Sequence, residues 1–297
     1  VNPRTADIDG MRCYGSIKDL PGAPDAAMIL LGPAGTEDAV RQLSALGTSV
    51  AIILAGGYGE TGITGVKRQV ALSEAAGKMR VLGPNTIGLL NLRDSITLSA
   101  SGALDTKHLT VGSIGVISQS GGILGSLLSR AAAKGIGLSH LAATGNEGDL
   151  EVCDILEWMI SENDTSVITL YLEGLRDTKR FANLSKLADR AGKYLIVYKI
   201  GKSEAGALAS ASHTGAMAGD NRLYDAFFTQ NGVVQAERFD DLLDIAMAFS
   251  MDKKPKGRRV GILTSTGGAG GLVADRCGLA GFRLFWVCRP AANFSGK

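Results

Sequence analysis

Short apolar runs that end in glycine, each followed by an amphipathic stretch, recur along this chain, and that alternation restricts it to one class of fold. Residues 26–31 and 50–54 are two such runs. Between them, 36–46 has helical periodicity, with Glu37 and Asp38 in its first turn and Gly47 beyond its end. Acidic residues suit the positive end of a helix, and glycine suits its close. A predicted helix 62–76 and strand 80–82 carry the pattern to Gly83-Pro84-Asn85. A second series follows, with strands 114–118, 138–143, 166–172 and 194–198 separated by helices 121–133, 150–160 and 178–191. Helices near 220–231 and 239–250 close it. Runs this short, bounded by turns and separated by helices, require parallel sheets covered on both faces. The basic stretch Lys253-Lys254-Pro255-Lys256-Gly257-Arg258-Arg259 reads as a linker, with phosphate binding as the sharper alternative. A third unit then begins with strand 259–264 and the glycines of 267–271, and ends in a strand-like segment at 282–287.

The 297 residues are 45% apolar, enough for one or two sizeable cores. Gly is 40 of 297, well above the usual share of about 7%, and without a collagen-like period it signals many tight turns. A net charge of +2 is too mild to imply nucleic acid or a membrane surface as partner. Cys13, Cys153, Cys277 and Cys288 form no CxxC pair and have no histidines at ligand spacing, so no metal site is expected. Free thiols in a reducing compartment, the cytoplasm, are the natural reading. No apolar run reaches the roughly 20 residues of a membrane span. The chain starts at Val1, with Asn2-Pro3-Arg4 reading as the tail of a strand whose beginning is absent, and it stops at Lys297 with no closing helix. A fragment is expected, which leaves room for a targeting peptide upstream.

In open α/β sheets ligands gather at the carboxyl ends of the strands. Ser118-Gln119-Ser120-Gly121-Gly122, Gly145-Asn146-Glu147-Gly148-Asp149 and Glu173-Gly174 all follow predicted strands at that edge. So does Ala-Ser-Ala-Ser-His-Thr-Gly-Ala-Met-Ala-Gly-Asp (209–220), in which His213 is flanked by small residues. Small neighbours let a backbone close around a bound group, and the hydroxyls of Ser212 and Thr214 can hydrogen-bond it. An imidazole so placed suits a nucleophile or an acid/base group; a loop histidine with no task is the equal alternative. The third unit repeats the device in Thr264-Ser265-Thr266-Gly267-Gly268-Ala269-Gly270-Gly271. Two glycine-rich helix N-termini preceded by hydroxyl residues are ready anion sites, although a Ser-Gly-Gly turn alone more often serves helix–strand packing. Neither matches a Walker lysine motif or a full GxGxxG. Together with the histidine and a carboxylate they describe a site for a phosphoryl group.

The ordered motifs Val-Asn-Pro (1–3), Leu-Gly-Pro-Ala (31–34), Leu-Gly-Pro-Asn (82–85), Ser-Gln-Ser-Gly-Gly (118–122), Gly-Asn (145–146), Tyr-Leu-Glu (171–173), Ser-His-Thr-Gly-Ala (212–216) and Ser-Thr-Gly-Gly-Ala-Gly (265–270) run through nearly the whole chain. In them it resembles the NDP-forming acyl-CoA synthetases, relatives of the succinyl-CoA synthetase α subunit. The resemblance implies an N-terminally truncated Rossmann-like CoA-binding domain over 1–106. It implies a flavodoxin-like domain with a phosphohistidine over 107–254, and the start of a second flavodoxin-like domain over 257–297. The implied reaction interconverts a small carboxylic acid, CoA and ATP or GTP with acyl-CoA, NDP and phosphate. It passes through an acyl phosphate whose phosphoryl group resides transiently on histidine. Carried over by motif, His213 is the nucleophile and Glu173 its hydrogen-bonding carboxylate. Ser120, Gly121, Gly122, Thr266, Gly267 and Gly268 hold the phosphoryl oxygens. Asn2, Pro3, Arg4, Gly32, Pro33, Ala34, Ala55, Gly56, Gly57, Asn85 and Thr86 line the CoA site.

Three departures accompany the resemblance. The first strand and glycine-rich turn of the CoA domain are missing. Thr86 stands where many relatives have cysteine. Residues 285–297 do not look like the family. No ATP-grasp domain is present, so the nucleotide and Mg2+ would bind outside this chain, on a fused domain or partner subunit of an oligomeric enzyme, and the fragment alone would be inactive. A CoA-sensing regulatory module of a protein acetyltransferase is the rival reading; the His213–Glu173 pair favours the enzyme. A flavodoxin-like FMN binder is a third, disfavoured because aromatics make up 5% and none lies in these loops.

Overall fold

Two compact units divide the chain at residues 250 and 251, and a computed structural model describes residues 1–105, 108–203, 205–206, 221–251 and 255–285. Residues 1–6 form no strand, contrary to the reading of Asn2-Pro3-Arg4 as a strand's tail. Instead Asn2 N–H donates to Tyr14 O, which ties the segment to a short antiparallel pair, β1 (Asp7–Ile8) and β2 (Met11–Arg12). A three-stranded parallel sheet follows in the order β3 (Ala26–Ile29), β4 (Val50–Ile53), β5 (Arg80–Leu82). Its crossovers are α1 (Pro33–Leu46) and α2 (Ile63–Ala76). Pro33 begins α1, where its missing N–H is no loss. Gly47 ends the helix in a left-handed conformation at φ 98, its N–H donating to Leu43 O and Ser44 O. Ile29, Val40, Leu43, Ala51, Ile53, Leu72 and Val81 close a core between this sheet and its helices.

The larger sheet has seven strands. Its parallel part contains β8 (Val111–Ser118), β9 (Leu138–Ala143), β10 (Val167–Leu172), β11 (Tyr194–Lys199) and the short β12 (Val234–Gln235). Between and around them run α3 (Gly121–Lys134), α4 (Val152–Ser161), α5 (Thr178–Arg190), α6 (Asn221–Gln230) and α7 (Asp241–Phe249). One face packs Leu124, Leu127, Leu128, Leu242 and Leu243 of α3 and α7 against the strands. The other packs Leu156, Met159, Phe181, Leu184 and Phe228 of α4, α5 and α6. Each fully buried leucine contributes about 1.5–3 kcal/mol to this two-sided burial. The cover on both faces predicted for a parallel sheet is found: every residue of β9 and β10 is buried, the polar Ser139, His140 and Thr169 included.

Three strands of this sheet were not predicted: the two-residue β12, and two that precede β8. β6 (Gly88–Asn91) and β7 (Ile96–Ser99) form an antiparallel hairpin, and β6 pairs antiparallel with β9. The hairpin therefore extends the larger sheet, although the sequence reading grouped residues 1–106 together. Asn91 Oδ1 accepts from Arg93 N–H (3.0 Å) and Asp94 N–H (3.1 Å) to close its turn. In the second unit, β13 (Arg259–Gly261) and β14 (Arg283–Phe285) pair in parallel across α8 (Gly267–Leu279). Among the described residues no helix is long and apolar enough to cross a membrane.

Candidate functional site

The carboxyl ends of β9, β8, β10 and β11 lie side by side, so the loops that follow them share one edge. At the end of β8, Ser118 Oγ donates to Ser120 O (2.7 Å) and accepts from Ser120 N–H (3.1 Å). This clasp turns the chain directly from β8 into α3 and leaves Ser120 as an N-cap whose own side chain makes no cap hydrogen bond. Glycine is required next: a Cβ on Gly121 would come 2.7 Å from Ile87 Cγ2, whereas Gly122 faces open space. The opening turn of α3 thus presents N–H groups and a positive dipole end without a capping side chain, a setting that favours anions.

Glu173 follows β10 and is buried, at 7% exposure. Its N–H and that of Gly174 donate to Gln119 Oε1 at 2.6 and 3.1 Å. Gln119 Nε2 donates in turn to Gly174 O (2.9 Å) and Glu147 Oε1 (3.1 Å). Glu147 is buried too, and accepts further from Thr144 Oγ1 (3.0 Å) and Val152 N–H (3.1 Å), with Arg176 Nε 3.4 Å from its second oxygen. Burial pushes its carboxyl above the ordinary range, against the pull of Gln119 and Arg176. Lys199, buried at the end of β11, donates from Nζ to Ile200 O (2.6 Å) and lies 4.8 Å from the Tyr224 ring centre. Burial lowers its pKa, while the negative charge of Glu173 helps retain its proton. His213 lies outside the described residues.

The three-stranded sheet meets this edge through the 145–149 turn. Asn146 N–H donates to Pro84 O (2.9 Å) and Gly148 N–H to Gly83 O (2.7 Å), and Asp149 pairs with Arg80 (2.8 Å). Asn85, at φ 59, donates from Nδ2 to Asn146 Oδ1 (3.2 Å), and Asn146 Nδ2 donates to Glu60. Glu60 also accepts from the N–H groups of Gly57 and Tyr58. Burial acts to raise its pKa, but these hydrogen bonds outweigh it and hold the carboxyl below its ordinary value. Gly32, Pro33 and Ala34 open α1, which has no side-chain cap, and Gly56 lies beside Asn85, where a Cβ would sit 3.3 Å from Asn85 Oδ1. An uncapped helix start beside side-chain-free glycines fits an extended, phosphate-bearing ligand such as CoA. Several residues expected to line that site make internal hydrogen bonds: the Asn85 amide to Asn146, Gly57 N–H to Glu60, and the Thr86 hydroxyl, which donates to Ala143 O (2.6 Å) and accepts from Gly88 N–H (2.9 Å). Arg4 is exposed, its N–H held by Asn2 Oδ1 at 3.0 Å.

The second unit, taken by itself, repeats the clasp of β8 and α3. Thr264 Oγ1 donates to Thr266 O (3.2 Å) and accepts from Thr266 N–H (3.2 Å). Thr266 caps α8 with no side-chain hydrogen bond, and Gly267 and Gly268 face open space.

Comparisons with known proteins agree with this arrangement. Residues 1–91 match a model of the CoA binding domain, and residues 111–249 match the succinyl-CoA ligase like flavodoxin domain. The chain is 35% identical to subunit alpha of an ADP-forming acetate–CoA ligase (II) of Pyrococcus furiosus, over 96% of this chain and 61% of that protein. It is 31% identical to an ADP-forming 4-hydroxybutyrate–CoA ligase of Nitrosopumilus maritimus, over 96% of this chain and 41% of that protein. A solved structure of acetyl-coenzyme A synthetase 1 from Ca. Korarchaeum cryptofilum, in complex with phosphate and ADP, superposes with a TM-score of 0.89 at 29% identity. That match covers 99% of this chain and 65% of the other. The chain belongs to the NDP-forming acyl-CoA synthetase family. It spans about three fifths or less of the curated relatives' own lengths.

For a member of this family, the sequence reading named Glu173 and both glycine-rich helix starts but passed over the residues that organise them. Gln119, Asn146 and Glu147 stand in the loops named above with no role assigned, and Glu60, Arg176 and Lys199 carry no signal of their own there. The missed signal was a run of amide and carboxylate residues directly after strand ends, where side chains must satisfy backbone groups that the sheet no longer pairs. Among the described residues no group of three or more His, Cys, Asp or Glu side chains could hold a metal ion.

Proposed function

We propose that this chain is the CoA-binding and phosphohistidine-bearing portion of an NDP-forming acyl-CoA synthetase, acting on a small carboxylic acid, CoA and ATP or GTP. One observation supports the reading above others: a helix start without a side-chain cap and the buried Glu173 carboxylate share one sheet edge, joined by Gln119. In this reading an imidazole nitrogen of His213 takes the phosphoryl group as the bond to the departing diphosphate breaks. It then passes the group to the substrate carboxylate, the N–P bond breaking as the O–P bond of the acyl phosphate forms. The CoA thiol displaces phosphate from that intermediate and carries away the acyl group. Glu173 accepts the N–H of the other imidazole nitrogen, which fixes the tautomer and supports positive charge on the ring. The N–H groups at Ser120-Gly121-Gly122 hold phosphoryl oxygens, and the helix start at Thr266-Gly267-Gly268, in the second unit taken by itself, suits a phosphoryl group in the same way. Asn2, Pro3, Arg4, Gly32, Pro33, Ala34, Ala55, Gly56 and Asn85 line the CoA site, while Gly57 and Thr86 shape it through their internal hydrogen bonds.

Domains over 1–106, 107–254 and 257–297 divide these tasks, the β6–β7 hairpin being shared with the larger sheet. The nucleotide and Mg2+ belong to an ATP-grasp domain or subunit outside this chain, within a cytoplasmic oligomer. The test uses the chain joined to that part and ATP labelled in its γ-phosphate. His213→Ala takes up no label. Glu173→Gln, which keeps the shape and removes the charge, slows labelling about a hundredfold, and CoA affinity stays within about twofold in both. Labelling of His213→Ala at the parental rate would refute the assignment.

A further inference from the structure

A carboxylate can steer an imidazole only if the loop carrying it keeps its place, and one side chain, Gln119, binds the backbone of both Glu173 and Gly174. Gln119 Oε1 accepts from Glu173 N–H (2.6 Å) and Gly174 N–H (3.1 Å), and Gln119 Nε2 donates to Gly174 O (2.9 Å) and Glu147 Oε1 (3.1 Å). Both donors and both acceptor positions of the amide are used, so it cannot turn end for end without setting donor against donor. Glu147 decides which way round it sits. Its Oε1 also accepts from Thr144 Oγ1 and Val152 N–H, so an acceptor faces Gln119. Glu147 is 4% exposed and has φ 55, a left-handed conformation that side chains other than glycine rarely adopt. A buried carboxylate on such a backbone persists only where its surroundings hold it. The charged groups around the 119–147 pair are Arg176, 3.4 Å from Glu147 on the segment before α5, and Glu173, which Lys199 faces from β11.

We propose that Gln119, oriented by Glu147, is a positioning residue for phosphoryl transfer: it fixes Glu173 at the sheet edge without itself touching the phosphoryl group. The inference rests on the roles given to His213 and Glu173 above. The conservative exchange Gln119→Glu makes it testable. The carboxylate introduced by that exchange would still accept from the Glu173 and Gly174 amides but could not donate to Gly174 O. It would also face the carboxylate of Glu147, and two carboxylates this close share a proton only toward acid pH. A shared proton restores the donor facing Glu147; its loss at higher pH replaces that hydrogen bond with repulsion.

The experiment measures labelling from γ-labelled ATP in the full enzyme between pH 5.5 and 8.5, for the parent, Gln119→Glu and Gln119→Met, which fills a similar space without the amide's hydrogen-bonding groups or a charge. Gln119→Glu is expected to lose about tenfold or more of the rate at the alkaline end and to recover toward the parent at the acid end, whereas Gln119→Met loses rate relative to the parent to the same extent at every pH. CoA affinity stays near the parental value in both variants. A Gln119→Glu enzyme labelled at the parental rate throughout would overturn the inference, as would a Gln119→Met enzyme labelled at the parental rate. If the parent takes no label on His213, the functional reading falls and the inference with it; a labelled parent with indifferent variants overturns the inference alone.

Discussion

Gly145 joins the two sheets of the first unit, and replacing it with alanine tests how tightly they are locked. Its φ of +61 lies in the left-handed region, which costs an alanine about 1–2 kcal/mol. An added Cβ would also lie 2.4 Å from Pro84 O and 2.7 Å from Asn85 O, well inside van der Waals contact. Both obstacles are backbone, and neither can easily retreat. Asn146 N–H donates to Pro84 O at 2.9 Å, Gly148 N–H to Gly83 O at 2.7 Å, and Asn85 N–H to Ala55 O at 2.8 Å. Relief of the overlap would stretch one or two of these bonds at about 1 kcal/mol each, or cost about 1–3 kcal/mol as overpacking. Together with the backbone term, Gly145→Ala should destabilise the chain by about 2–5 kcal/mol. Urea unfolding with an unchanged m-value would show this as a lower midpoint. CoA affinity should fall as well, because Asn85 and Asn146 move together. A loss under about 1 kcal/mol would show that the 83–85 and 145–148 segments yield freely, and would refute the locked junction.

Two further outcomes follow from buried polar groups. Thr86→Val leaves Ala143 O and Gly88 N–H without the hydroxyl that joins them, so it should cost about 2–4 kcal/mol in urea unfolding while changing CoA affinity less than twofold. His140 packs edge-on to Trp158 at 4.8 Å, with Nδ1 3.2 Å from Thr165 Oγ1. Burial lowers its pKa below the ordinary 6.5. The unfolded chain therefore binds this proton first, so the contribution of His140 to stability is present above pH 6.5 and is lost as pH falls through its folded pKa. Unfolding free energies measured from pH 7.5 to 5 should decline more steeply in the parent than in His140→Gln, and equal slopes would contradict the assignment.

Most of the architecture was legible because it is written in local patterns. Strand 138–143 is predicted with the bounds that the structure has, since Gly137 before it and Gly145 after it confine a short segment between two turns. The β6–β7 hairpin was not legible. Its strands are four residues each, and its membership of the larger sheet depends on pairing with β9, about fifty residues away in sequence. The site divides the same way. Glycine-rich helix starts announce themselves by composition, and the clasp at Ser118-Ser120 recurs at Thr264-Thr266. The bracing of Glu173 by Gln119 and Glu147 joins three loops that the sequence lists far apart, and only the strand order brings them together. Thr86 shows the limit of carrying roles over by motif: its position matches a ligand-lining residue, while its hydroxyl bridges two backbone segments.

Phosphosite mapping tests the central claim most directly. The chain, joined to its ATP-grasp part, is incubated with ATP labelled in its γ-phosphate, quenched in alkali and digested, and the labelled peptide is sequenced. The account predicts a single alkali-stable, acid-labile label on the peptide containing His213, discharged when a small carboxylic acid and CoA are added together. Label on a serine, threonine or aspartate, or a histidine label that carboxylate and CoA leave in place, would contradict it.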